Sequence, residues 1–229
     1  MVQTYRLLLA CGAAGAILAI VGDNIMLWQA ASMEEVERRG MGLVAYVSPE
    51  RIRIGSIFGV PGFFLQSVGV LGIYCCLRRS SPLSKTLSSI VAGLFGFALF
   101  AGLAWHVSYP PLGAALALEG LSESLRDALS NRLIELLADF YFMSIYAFGA
   151  GSLLFAAMLI AGWSSFPRWF VFVSPFLIQA LLQGLSGVLP PAVAVGLYVS
   201  NLNCALLAFF VMAFFVAGAP YNSDDAEID

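Results

Sequence analysis

Six apolar runs follow one another along this chain, each parted from the next by a short polar stretch. A helix needs about 20 consecutive apolar residues to cross the hydrocarbon of a bilayer. In that solvent every backbone N–H and C=O must find its partner inside the protein, so such a run can only be a helix packed against other helices. The runs are Tyr5–Ala30, Pro49–Leu77, Leu87–Tyr109, Arg132–Ala161, Arg168–Leu189 and Ala192–Ala217. The fold class this predicts is all-α: a polytopic transmembrane helical bundle of six spans, filling residues 1–219 as one domain. An acidic tail, 220–229, follows with Asp224, Asp225, Glu227 and Asp229, and is expected to be a disordered, solvated end. Charged residues are only 11% of the chain, too few for a water-facing surface, where about 25% is usual.

The connections alternate in character. Arg78-Arg79-Ser-Ser-Pro-Leu-Ser-Lys85 and Gly162-Trp163-Ser-Ser-Phe-Pro-Arg168 are short, basic and free of acids, as cytoplasmic loops are. An even number of spans then puts both termini in the cytoplasm. The two loops on the other side are longer, and each predicts a short interfacial helix. In the first, Ser32 with Glu35 makes a capping box, Glu34/Arg38 and Glu35/Arg39 are i,i+4 pairs, and Gly40 supplies a stop. In the second, Leu118, Leu121, Leu125 and Leu129 share a face opposite Glu119, Glu123, Arg126 and Asp127, a pattern that runs into span four. Within span two, Gly55 and Gly59 have the spacing that lets helices approach closely, and Pro61 predicts a kink. Pro175 predicts the same in span five.

Ionisable and strongly polar side chains are expensive at membrane depth, so each one present marks a candidate site. Asp23 and Asn24 lie in the second half of span one, His106 near the end of span three, and Glu135 and Asp139 in the first turns of span four. Gln66, Gln179, Gln183, Asn201 and Asn203 fall at a similar level or slightly deeper. Every span thus supplies a polar group to one zone, and a polar cavity in the outer half of the bundle follows. Asp23, set among apolar neighbours, must be neutralised or held by a partner, and the single histidine, His106, is the natural one. Such a pair serves as proton relay, acid/base couple or ligand clamp, or simply as an interhelical hydrogen bond that orients two spans. Glu135, three residues past Arg132, reads as a solvated helix start. The predicted ligand-binding set is Asp23, Asn24, Gln66, His106, Asp139, Gln179 and Asn203.

Several chemistries are excluded. One histidine cannot supply bis-histidine haem ligation or a multi-histidine zinc centre, and the four cysteines lack metal-site spacing and read as packing residues. The single lysine, Lys85, lies in a loop, and no nucleotide or serine-hydrolase fingerprint is present. No metal and no cofactor are therefore expected, and no catalytic residue is marked out. A net charge of −3 without a basic tract argues against a nucleic-acid partner. The expected partners are the lipid bilayer itself and a small-molecule or lipid ligand, with a homo-oligomer left open.

Gly22-Asp23 with its apolar-Met-apolar continuation, Trp105-His106, Arg53-x-Gly55, Pro190-Pro191 and Asn201-x-Asn203 together resemble a family of bacterial integral membrane proteins of unknown function. The resemblance implies six helices, a bacterial plasma membrane and no assigned activity. Three readings of function stand at this point. One is binding or transport of a small or lipid-like molecule in the outer-half cavity. Another is an intramembrane enzyme using Asp23 and His106 as acid and base on a lipid. The third is a structural subunit of a membrane complex, docked through the Gly55/Gly59 face.

Overall fold

The computed structural model describes residues 2–28, 34 and 47–217. The interfacial helix expected between Ser32 and Gly40 and the acidic tail at 220–229 lie outside the described residues. The elements are α1 (Val2–Leu27), α2 (Pro49–Leu77), α3 (Pro82–Leu116), α4 (Glu123–Ile160), a 3-10 segment (Arg168–Val173), α5 (Pro175–Ser186), α6 (Pro191–Val199) and α7 (Asn201–Val216). Serine–proline pairs start several of them. Ser48 and Ser81 accept the N–H of Arg51 and Ser84, and Pro49 and Pro82 stand where a helix N–H would be unbonded anyway.

The helices pack as a ring in the order α1, α2, α3, α4, α5 and α7, closed by contact of α7 with α1. Successive members run antiparallel. The tightest seam is α1 on α2, where glycines face glycines: a Cβ added to Gly22 would lie 2.6 Å from the Gly55 carbonyl oxygen, and one on Gly12 would lie 2.8 Å from the Gly69 Cα. Only bare backbones fit at this separation, which is how helices in lipid gain contact without a hydrophobic driving force. The small-residue face expected at Gly55 and Gly59 is thus occupied within the chain, by α1 and by His106 of α3. At one end of the ring the two short basic loops meet: Ser84 donates to the Trp163 carbonyl at 2.7 Å, and Ser165 N–H donates to the Leu77 carbonyl at 3.2 Å. Beside them Arg6 caps α7 through the Ala217 carbonyl at 2.9 Å.

Four helices, α1 to α4, are long and apolar enough to cross a membrane, and α6 with α7 makes a fifth if the bent pair counts as one span. Phe64, Phe100, Leu153, Phe172 and Phe215 point outward, exposed on several sides of the ring, as they would toward acyl chains. The remaining expectations are corrected in three places. The run Arg168–Leu189 is not one helix: Ser174-Pro175 divides it, so Pro175 opens α5 instead of kinking a longer helix. The final run is bent by 75° at the break between α6 and α7. No separate interfacial helix forms at Leu118–Leu129, because α3 continues through Pro110 and Pro111 to Leu116 and α4 starts at Glu123. These helices have 35 and 38 residues, or about 50 to 57 Å at 1.5 Å per residue, well beyond the roughly 30 Å of hydrocarbon. Tyr109, Leu112 and Leu116 of α3 and Leu129, Leu133 and Leu137 of α4 belong to one apolar cluster with Met26 of α1 and Ile52 of α2.

Candidate functional site

Four helices of the ring each place one polar side chain at its centre. His106 Nε2–H donates to Asp23 Oδ1 at 3.0 Å, Asn203 Nδ2–H donates to Asp23 Oδ2 at 2.7 Å, and Gln66 Nε2–H donates to Asn203 Oδ1 at 2.9 Å. The result is a hydrogen-bonded chain, Gln66–Asn203–Asp23–His106, running through α2, α7, α1 and α3, with every member buried. All its donors point toward Asp23, so both carboxylate oxygens are satisfied, as burial of such a group requires.

The imidazole is held from both sides. Its ring centroid is 4.8 Å from that of Phe63 and 5.8 Å from that of Tyr109. Its Nδ1 has no hydrogen-bond partner and faces Gly59, where an added Cβ would lie 2.9 Å away. A proton on Nδ1 would be a buried donor without an acceptor, so the ring carries its proton on Nε2, toward Asp23. Beside it Trp105 Nε1–H donates to the Tyr109 hydroxyl at 2.7 Å, and Tyr141 of α4 lies 6.1 Å from the Trp105 ring.

Asp23, His106 and Asn203 form part of the wall of a cavity of about 280 Å³. The α3–α4 hairpin supplies Trp105, Tyr109, Tyr141 and Ser144, and the opposite side supplies Gln179 and Gln183 of α5, Tyr198 of α6 and Asn201 of α7. Below it the ring is filled by aromatic side chains: Phe155 packs edge-on against Phe209 at 5.3 Å, and Phe166 stacks on Phe170 at 4.5 Å. The cavity therefore has a floor. Its weakest wall is the α4–α5 seam, where the two helices touch only marginally.

The structure sorts the candidate residues into groups. Asp23, His106, Asn203 and Gln179 line the cavity, with Gln179 Nε2 donating to Asn201 Oδ1 at 3.4 Å. Gln66 belongs to the hydrogen-bonded chain but stands behind the wall, its Oε1 buried without a partner. Asn24 does not reach the cavity; it donates to the Ile20 carbonyl at 2.9 Å and to Ser200 Oγ at 3.2 Å, tying α1 to the bend between α6 and α7. Asp139 is exposed on α4 and is not among the residues that line the cavity. Glu135 is likewise exposed and pairs with Arg132 at 3.2 Å. Tyr109, Tyr141, Tyr198 and Ser144 were not singled out by their residue type, since a tyrosine or serine in an apolar run is not costly enough to stand out. Among the described residues no group of three or more His, Cys, Asp or Glu side chains is placed to hold a metal.

Fold and site together define a class: a multi-pass helical membrane protein with a carboxylate–imidazole–amide chain on the wall of an inter-helix cavity. Within that class the chain belongs to the family of unknown function DUF6796, which matches residues 1–218. No curated protein and no solved structure matches it.

Proposed function

We propose that the protein binds a small or lipid-like molecule in the cleft between the α3–α4 hairpin and α5–α7, with the Asp23–His106 pair as its polar anchor. The observation that carries this reading is the position of the pair: Asp23 and His106 border a cavity instead of being sealed between helix backbones. The marginal α4–α5 contact gives an amphiphile a lateral route from the bilayer. An acid/base enzyme is less well supported, because neither imidazole nitrogen is free to serve a substrate. Nε2 is engaged by Asp23 and Nδ1 is packed on Gly59. The nearby hydroxyls of Ser144 and Ser200 donate to the Ala98 and Gly196 carbonyls at 2.8 and 2.7 Å, so no nucleophile is activated.

The same reading makes the protein a six-crossing chain of a bacterial plasma membrane. The 3-10 segment and α5 together form the fifth crossing, α7 forms the sixth, and both termini are cytoplasmic on the side of the basic loops. A carboxy-terminal fluorescent-protein fusion then matures, and a phosphatase fusion at the same place stays inactive.

Binding is tested by thermal unfolding of detergent-purified protein with fractions of a total lipid extract of the expressing cells. A ligand present at 100 times its Kd stabilises by about 2.7 kcal/mol. At least one fraction is expected to raise the unfolding temperature of the wild type, and neither Asp23→Asn nor the cavity-filling Val199→Trp is expected to respond. If no fraction stabilises the wild type, or if Val199→Trp responds equally, the cleft is not a binding site.

A further inference from the structure

The charge pattern of the cleft narrows its ligand. Among the described residues no lysine or arginine lines the cavity, and Asp23 is the one acidic group on its wall. The side chains that hold Asp23 are an imidazole and an amide, and neither is a lysine or arginine. Arg51 of α2 is committed to the α1 terminus, where Nε donates to the Ile25 carbonyl at 2.9 Å and a terminal nitrogen to the Trp28 carbonyl at 2.7 Å. The rings of Phe63, Trp105, Tyr109, Tyr141 and Tyr198 line the same cavity. Aromatic faces carry negative potential and attract cations, most strongly where water is excluded. An anionic ligand would meet a carboxylate and ring faces, with no lysine or arginine among the described lining residues to balance it.

Resting on the reading of the cleft as a binding site, we propose that its ligand presents an organic cation, an alkylammonium or quaternary ammonium group, which sits against Asp23 within the aromatic wall. The cavity of about 280 Å³ lies at the small end of ligand pockets, which run from about 300 to 1,000 Å³. It therefore suits a small amine or a head group more than a whole lipid. Gln179, Gln183 and Asn201 on the far wall supply amides for a hydroxyl or ester oxygen on the same molecule.

The test uses the purified full chain in maltoside, which holds no ammonium group. Equilibrium dialysis with radiolabelled choline and tetraethylammonium is compared with competition by 3,3-dimethylbutan-1-ol, the uncharged isostere of choline. Saturable cation binding is expected, with the isostere competing at least about tenfold more weakly. Asp23→Asn should abolish binding. Tyr141→Leu, which leaves the hydrogen-bonded chain intact, should weaken it several-fold while the unfolding temperature of the free protein holds. Two arms separate the sources. Displacement of choline by nanodiscs of phosphatidylethanolamine or phosphatidylcholine, but not of phosphatidylglycerol, assigns a lipid head group, and no displacement by any of them assigns a free cation. The proposal is overturned if no cation binds, if the isostere competes as well as choline, or if folded Asp23→Asn binds choline like the wild type. Equal binding of cation and isostere, both lost in Val199→Trp, would discard the cation and leave the binding cleft in place.

Discussion

Gly59 of α2 and His106 of α3 meet so closely that a methyl group on the glycine would lie 2.9 Å from the imidazole Nδ1. The bare backbone at Gly59 sets the depth to which the imidazole enters the ring, and with it the reach of Nε2 to Asp23. Gly59→Ala must displace the imidazole from the position in which Nε2 meets Asp23. It is expected to cost about 1–3 kcal/mol, as overpacking does, and to abolish ligand-dependent stabilisation. Gly93→Ala, where a Cβ meets nothing within 4 Å, should change neither. Thermal unfolding of the two variants checks this.

The α1–α2 seam predicts a second contrast. Gly15→Ala would bring a Cβ to within 2.5 Å of the Gly62 carbonyl oxygen and 2.6 Å of the Gln66 nitrogen, contacts that only separation of two backbones can relieve. The loss should equal or exceed that at Gly59, because backbone yields less readily than a side chain. Gly149→Ala, on an open face of α4, should be neutral or slightly stabilising, since alanine is the better helix former. Denaturant titration of the purified variants reads both.

Asn203 links two partners, and its removal exposes both. Asn203→Leu leaves Asp23 Oδ2 and Gln66 Nε2 unpaired in the core, at an expected cost of about 1–3 kcal/mol. The double variant with Gln66→Leu removes one orphan as well, so it should be less unstable than the sum of the singles, by a coupling of about 0.5–3 kcal/mol. Additive losses in this cycle would mean that the amides do not interact.

Arg51 predicts a local effect at the far end of α1. Its guanidinium bonds the Ile25 and Trp28 carbonyls, which have no partner within the helix. Arg51→Met should free them, cost roughly 1–2 kcal/mol, and speed hydrogen exchange of the last turn of α1. The turn around Leu9 should keep its rate.

The apolar runs made the helices legible because hydrocarbon allows few alternatives, and Asp23 and His106 stood out because ionisable groups are rare at depth. What one sequence does not carry is azimuth. Asp139 lies on the same span as cavity-lining Tyr141, and only the direction in which α4 meets α3 shows that the aspartate faces outward while the tyrosine ring approaches Trp105. The stripe of Leu118, Leu121, Leu125 and Leu129 reads as an interfacial helix running into span four; the part from Glu123 on is α4 itself, where Leu129 packs with Tyr109, Leu112 and Leu116, and Leu118 and Leu121 fall in the connection before it. In span five, uniform hydropathy hid the break at Ser174-Pro175, although the same Ser-Pro pair starts α2 at Ser48 and α3 at Ser81. The glycine seam is half visible: Gly55 and Gly59 stand out by their spacing, while Gly22 opposite them, and Gly12 and Gly15 opposite Gly69 and Gly62, need the pairing itself to be seen.

The chain has one histidine, so the nitrogen resonances of its imidazole can be assigned without ambiguity. Solid-state NMR of the full chain in lipid, with histidine labelled in nitrogen and aspartate in the carboxyl carbon, measures the central claim directly. The account predicts a protonated Nε2 with a through-space contact to one aspartate carboxyl, lost in Asp23→Ala. An Nε2 without a proton, or an imidazole with no carboxyl carbon near it, would contradict the pair on which the site is built.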